Sequence, residues 1–306
     1  MARQRKGLPV NGWLIFDKPR GMTSTQAVTK VKRLYQAAKA GHAGTLDPLA
    51  TGVLPLALGE ATKTVPFVVE GSKQYRFTVR FGAETDTDDA DGKVVASSET
   101  RPTHAEIAAE LPSFTGEIEQ VPPRYSALKV DGARAYELAR DDEDFELAAR
   151  RVSIDSLILI DHPDPDRCVL EAHCGKGTYV RALARDLGRA LGALGHVEQL
   201  RRTRVGPFGE ERAITLSALE ALAEGGHETL LTTLLPVETA LCDIPVLAIA
   251  GPDADRLRRG QPVLLRGRDA PIVEGTVYAT SRGTLVAVGE VSRGELRPKR
   301  IFNLPR

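Results

Sequence analysis

The sequence predicts a mixed chain of strands and helices that ends in a small β-barrel module. Three observations carry that expectation. Over 73–82 the residues alternate, with Tyr75, Phe77, Val79 and Phe81 on one face and Arg76, Thr78 and Arg80 on the other, the period of a half-buried strand. Over 24–38, Ala27, Val28, Val31, Leu34, Tyr35 and Ala38 form an apolar stripe at helical spacing. After about Leu241 the texture changes to short β-rich runs separated by Gly/Arg turns, namely 262–265, 275–279 and 285–288. The chain has 306 residues, 42% hydrophobic and 27% charged, which suits one large unit and one small one. The division expected is 1–241 and 242–306.

The elements follow in order. Gly12-Trp13-Leu14-Ile15-Phe16-Asp17-Lys18-Pro19 reads as a short strand that stops at proline. Gly21-Met22-Thr23-Ser24 is a turn, and Ser24 or Thr25 can cap the helix after it. Glycines at 41, 44 and 52 and prolines at 48 and 55 argue against a regular helix over 41–56. Asp91-Gly92 marks a turn into Lys93-Val94-Val95-Ala96, read as the hairpin partner of the 73–82 strand. Residues 103–111 read as a short helix, 121–129 as extended and 133–140 as helical. Strands are expected at 151–159, 168–174 and 196–203. Gly175-Lys176-Gly177 turns into a helix from about Thr178 to Gly192, and 216–223 is a further helix.

Lys+Arg and Asp+Glu are both 41, so net charge alone points to no polyanionic partner. The distribution says more. The first fifty residues are basic from Arg3 to Lys39 against only Asp17 and Asp47, and 251–306 is rich in arginine, so basic faces able to meet phosphate are expected at both ends. Residues 81–150 lean acidic. Cys168, Cys174 and Cys242 make no CxxC, as expected for free thiols in a reducing cytosol. Cys168, His173 and Cys174 match no usual zinc spacing. The basic start carries no apolar run of a secretory signal, and no stretch is long enough to span a membrane.

Asp47 is the first candidate for chemistry. It is the one charged residue between Lys39 and Glu60, on a largely apolar loop with His42 five positions upstream. An isolated acid there is costly to bury unless it is paired or used. Taken singly, Asp47-Pro48 is more readily a turn former, Tyr75 a core aromatic, Arg181 a surface charge and His42 a hydrogen-bonded loop residue. The acidic run Asp86-Thr87-Asp88-Asp89-Ala90-Asp91-Gly92 fails as a calcium loop, because Thr87 and Ser98 fall where acids are required, and it reads as a solvated turn. Gly175-Lys176-Gly177-Thr178 fails as a nucleotide phosphate loop for want of the upstream glycine and of a Ser or Thr directly after the lysine, though it can present amides at a helix start.

The combination is specific where the parts are not. Lys18-Pro19-Arg20-Gly21-Met22-Thr23-Ser24, Gly41-His42-Ala43-Gly44-Thr45-Leu46-Asp47-Pro48-Leu49-Ala50-Thr51-Gly52-Val53-Leu54-Pro55, Lys73-Gln74-Tyr75-Arg76-Phe77, Tyr125-Ser126-Ala127-Leu128-Lys129, Gly175-Lys176-Gly177-Thr178-Tyr179-Val180-Arg181 and Leu200-Arg201-Arg202 resemble, in order, the TruB family of tRNA pseudouridine synthases. The resemblance covers nearly all of residues 9–240. It implies an α+β fold, a mixed, mainly antiparallel central sheet with flanking helices, followed by a PUA-like β-barrel. It also implies isomerisation of uridine 55 in the tRNA T-loop to pseudouridine, with Asp47 as nucleophile, Tyr75 stacking on the base and serving as general base, and Arg181 pairing with Asp47. His42 would enter the space left by the flipped nucleotide, Tyr179 and Leu200 would line the base pocket, and Lys18 with Pro19 would support the loop. The chemistry implied needs no cofactor or metal. The partner implied is tRNA, through its T-loop and acceptor side, with no protein partner and a monomer as the simplest state.

Two rivals follow from the same residues. An RNA-binding protein with vestigial catalysis would keep the basic faces but has no need of Asp47, Tyr75 and Arg181 together. A retaining glycosidase also cleaves at C1′, but it requires a second acid about 5–5.5 Å from the first. In sequence the nearest acids to Asp47 are Asp17 and Glu60.

Overall fold

The structure, a computed structural model, describes residues 7–126, 128–130, 132–141, 145–265 and 273–305. The basic start, Ala127, the acidic residues Asp142, Glu143 and Asp144, and Arg266 and Arg268 lie outside the described residues. The chain begins β1 (Gly12–Lys18), α1 (Ser24–Leu34), β2 (Ala40–His42), β3 (Thr51–Leu58), α2 (Val65–Glu70), β4 (Lys73–Phe81), β5 (Ala83–Thr85), β6 (Val94–Ser97), α3 (His104–Glu110) and β7 (Gly116–Gln120). It continues β8 (Lys129–Val130), β9 (Ala133–Arg134), α4 (Ala135–Arg140), β10 (Arg150–Asp164), β11 (Arg167–Cys174), α5 (Val180–Ala190), β12 (Gly195–Val205), β13 (Phe208–Gly209), α6 (Leu216–Glu224) and α7 (His227–Leu231). The last segment holds β14 (Val246–Ala248), α8 (Gly251–Arg258), β15 (Val263–Leu264), β16 (Gly275–Ser281), β17 (Thr284–Ser292) and β18 (Glu295–Ile301).

The alternating stretch is β4, at the middle of a sheet of order β1-β3-β12-β4-β11-β10-β7, with β2 added on β3 and β13 on β12. Phe77, Val79 and Phe81 are buried, and sequestering each phenylalanine contributes about 2 kcal/mol. Every pairing in this sheet is antiparallel except β3 with β12, where Arg201 and Arg202 lie beside Thr51 and Gly52. That junction brings the end of the Asp47 loop against β12.

Two local expectations are corrected. The 93–96 run pairs with β5, not with the 73–82 strand. Both edges of β4 are already taken by β11 and β12, and Gly82, at φ +99°, turns the chain away before β5 begins. Helix α1 is capped by Thr23, not by Ser24 or Thr25. Thr23 Oγ1 accepts from the Gln26 amide at 3.1 Å, and the Gln26 side chain accepts from the Thr23 amide at 2.8 Å, a capping box. Ala27, Val31 and Tyr35 of the apolar stripe are buried, but the helix stops at Leu34, where Gln36 takes φ +48°.

The C-terminal strands form a second sheet of order β14-β16-β17-β18-β15, with its own core around Leu247, Leu257, Val277 and Val286. Phe302, Leu285 and Val288 pack instead with Trp13 and Phe208, whose rings are 5.1 Å apart, so this sheet sits against the back of the large one. Strand β18 gave no sequence signal, because Glu295-Leu296-Arg297-Pro298-Lys299-Arg300-Ile301 buries only Leu296 fully.

Candidate active site

The segment between β2 and β3 is held from three sides by residues distant in sequence. From α1, Ser24 Oγ accepts from the Leu46 amide at 2.9 Å and donates to its carbonyl at 3.1 Å. From the end of β1, the fully buried Lys18 ammonium donates to the carbonyls of Met22 at 2.7 Å, Pro19 at 3.0 Å and Pro48 at 3.4 Å. From β12, Arg202 donates to the carbonyls of Val53 at 2.8 Å, Gly44 at 3.0 Å and Thr45 at 3.3 Å. The backbone on both sides of Asp47 is therefore pinned, while its carboxylate stays 39% exposed.

The carboxylate meets Arg181 on the first turn of α5, Asp47 Oδ2 to Nε at 2.9 Å. Arg181 is itself buried and held, donating from Nη1 to the Thr87 carbonyl and from Nη2 to the Tyr125 carbonyl, both at 2.8 Å. Helix α5 is anchored where it starts: Gln120 of β7 accepts from the Tyr179 amide at 2.8 Å and donates to its carbonyl at 3.2 Å. Asp47, Tyr75, Tyr179, Arg181 and Leu200 all line one cavity of about 290 Å³, together with Arg202, Ser126 and the 175–178 turn. Five of the sequence-predicted residues thus converge. Burial raises the phenol pKa of Tyr75, against the opposing charge and hydrogen bond of Arg202, so the ring is a neutral phenol at neutral pH. Burial likewise raises Tyr179.

His42 and Lys18 are not in the wall of that cavity. His42 lies in β2, paired with Leu56, with Nδ1 buried and without a hydrogen-bond partner. Burial, then the charge of Arg202, lowers its pKa, which keeps the imidazole neutral. Lys18 lies beneath the loop. Its burial lowers the ammonium from 10.5 to about 8, with Asp47 pulling it up and Arg202 pushing it down. The folded chain then releases this proton near pH 8, while the unfolded chain keeps it to 10.5. Between those values the unfolded state binds more protons, so stability rises with pH through this group. The destabilisation is full below pH 8 and gone above 10.5. Relative to Lys18→Met, the wild-type chain is expected to gain about 2 kcal/mol between neutral pH and about pH 9.5, read by urea unfolding at the two pH values. A pH-independent difference would mean that the ammonium is solvated.

The acidic run at 86–91 is not simply a solvated turn, which corrects the sequence reading. Asp88 and Asp89 are buried at 6% and 5% exposure. Asp89 faces Arg181 Nη1 at 3.6 Å, Asp88 faces Arg185 at 3.0 Å, and Glu84 pairs with Arg189. Burial raises Asp88 to about 6, with Arg185 the main opposing influence. The available signal was the spacing of Arg181, Arg185 and Arg189 every fourth residue on one helix face. A second acid thus reaches the Asp47–Arg181 pair from far away in the chain. It lies behind the arginine with the Thr87 hydroxyl on it, outside the cavity wall, where a glycosidase's second acid would be of no use.

A mixed, mainly antiparallel sheet thus carries a cavity lined by a carboxylate, an arginine and two tyrosines, and the class this fold belongs to is that of the pseudouridine synthases. The fold is shared with solved structures. The archaeal box H/ACA sRNP Nop10–Cbf5 complex contains a chain with a TM-score of 0.72 and 25% identity, covering 98% of this chain and 92% of that one. An H/ACA RNP bound to a substrate RNA containing 2′-deoxyuridine contains one with a TM-score of 0.75 and 24% identity, covering 100% and 92%. At the level of sequence, residues 32–180 match the model of the TruB family pseudouridylate synthase N-terminal domain, and residues 181–242 match that of the tRNA pseudouridylate synthase B C-terminal domain. The tRNA pseudouridine synthase B of Bradyrhizobium diazoefficiens is 62% identical over 99% of this chain and 91% of its own length. That of Agrobacterium fabrum is 54% identical over 98% and 97%. The chain belongs to the TruB family of pseudouridylate synthases and is an isomerase.

Proposed function

We propose that the chain converts uridine 55 in the T-loop of tRNA to pseudouridine, acting in the cytoplasm. The observation that carries this reading is the Asp47–Arg181 ion pair, set at 2.9 Å on the wall of a cavity shared with Tyr75. The reaction exchanges one bond for another within a nucleotide. The C1′–N1 bond breaks, the uracil turns, C1′–C5 forms, and the proton lost from C5 is matched by one gained at N1. Asp47 is the nucleophile, adding at C6 or at C1′ and leaving again as the product bond is completed, and Arg181 holds it aimed. Tyr75 stacks on the base and serves as general base in its minor phenolate form, which the Arg202 charge favours; having given its own proton to solvent, the oxygen takes the one from C5, and Tyr179 and Leu200 hold the ring edges. His42 moves toward the gap left by the flipped nucleotide, which offsets part of the few kcal/mol of unstacking. Because no atom is imported and no electron is lost, the residues at hand suffice.

The division at about 241 rests on the separate core of the second sheet. That unit is the surface for acceptor-side phosphates. Arg258, Arg297 and Lys299 sit there in exposed pairs with Asp255, Glu295 and Glu290 at 2.9, 2.8 and 2.9 Å. Such pairs are worth about 1 kcal/mol or less, so phosphate replaces the acid at little cost. Among the described residues no helix is long and apolar enough to cross a membrane. The test is to incubate an unmodified tRNA transcript with the protein and map pseudouridine. One new pseudouridine at position 55 is expected, and modification elsewhere, or none, overturns the assignment.

A further inference from the structure

Arg202 enters the mechanism above only through its charge, yet it is one of the most deeply buried charges among the described residues. It is 1% exposed, and among the described residues no carboxylate lies within the 4.0 Å of an ion pair. A buried guanidinium with no counter-charge in contact is costly, so what it holds must matter to the fold or the site. Its Nε and both Nη atoms are committed to the carbonyls of Val53, Thr45 and Gly44, on either side of Asp47. On β12 it lies directly opposite Tyr75 of β4, and the two side chains line the same cavity. The guanidinium also lies close enough for its charge to act on the Tyr75 phenol.

We infer that Arg202 is the positioning residue that ties the Tyr75 hydroxyl to the Asp47 loop. Anchored on three carbonyls, the planar guanidinium cannot rotate, and its fixed place opposite Tyr75 sets where the phenol sits relative to the nucleophile. Lysine is no substitute, since a single ammonium on a flexible stem cannot span three carbonyls together. The inference rests on the pseudouridine-forming reading and adds the residue that sets the distance between its two reacting side chains.

The test is a double-mutant cycle on the full chain with tRNA, using Arg202→Lys and Arg202→Gln, each alone and with Tyr75→Phe. In the wild-type background either change is expected to lower kcat about tenfold or more while KM for tRNA stays within about threefold. With Tyr75→Phe, which lacks the hydroxyl, the same change is expected to cost less than about threefold. Losses that multiply in the two backgrounds, or a raised KM with kcat intact, overturn the inference by making Arg202 a general structural or binding residue. Tyr75→Phe tested alone needs no Arg202 variant to fold. If it turns over as fast as the wild-type chain, the hydroxyl has no task and the inference falls. A wild-type chain that forms no pseudouridine in the same assay overturns the underlying reading instead.

Discussion

Asp47→Asn is expected to abolish tritium release from tRNA labelled with [5-³H]uridine, while tRNA binding stays within a few-fold. Asparagine keeps the shape of the side chain and an oxygen that can still accept from Arg181 Nε, so the loop has little reason to move. The loop is in any case held by Ser24, Lys18 and Arg202 through backbone groups, and none of these bonds uses the Asp47 carboxylate. Arg181 retains Asp89 at 3.6 Å and its two carbonyl acceptors, so its charge is not left unpaired. The half-exposed carboxylate contributes little to stability. What the change removes is the nucleophile itself, for which an amide is no replacement. A loss of at least about a thousandfold in rate, on the order of 4 kcal/mol of barrier, is the size expected when the attacking group is deleted. Substantial turnover by Asp47→Asn would remove Asp47 from that role. Loss of binding with loss of turnover would make its contribution one of docking.

The residues that converge on the cavity were legible because each belongs to a locally patterned segment. Tyr75 is on a clean alternation, Arg181 and Tyr179 follow a glycine turn into a helix, and Asp47 stands in a stretch free of other charge. What could not be read is the framework that holds them. Ser24, Lys18, Gln120, Asp89 and Arg202 each reach at least one partner 22 to 158 positions away, and their partners are mostly backbone carbonyls and amides, which carry no residue-specific pattern. A buried lysine or arginine looks the same in a sequence as a solvated one. The misassigned hairpin partner of 93–96 has the same origin: a turn signal predicts that the chain reverses, but not which strand edge is still free to accept it. The acidic run failed differently. Its burial is dictated by two arginines on a helix about a hundred positions later, and read without them it is an ordinary polar turn.

Gly52 and Gly41 flank the same loop and look equivalent in the sequence, but they are expected to behave oppositely on substitution by alanine. At Gly41 an added Cβ meets nothing within 4 Å and the backbone is not in the left-handed region, so Gly41→Ala should change stability by no more than about 0.5 kcal/mol. At Gly52 the backbone sits at φ +96°, and an added Cβ would lie 2.3 Å from the Arg202 carbonyl oxygen and 3.0 Å from Arg201 Cγ. The obstruction is backbone of the neighbouring strand, which cannot swing aside as a side chain can. The cost is left-handed strain of about 1–3 kcal/mol for a non-glycine residue, plus separation of the parallel junction between β3 and β12. A total loss of about 3–5 kcal/mol is expected, measured by urea unfolding of both variants against the wild-type chain. The damage should extend to activity in whatever fraction stays folded. The same junction carries the Arg202 bond to Val53, and moving β12 away from β3 withdraws the guanidinium from Gly44 and Thr45. Equal stability of the two variants would mean that β3 and β12 are not in contact at Gly52, and that the nucleophile loop is held by Lys18 and Ser24 alone.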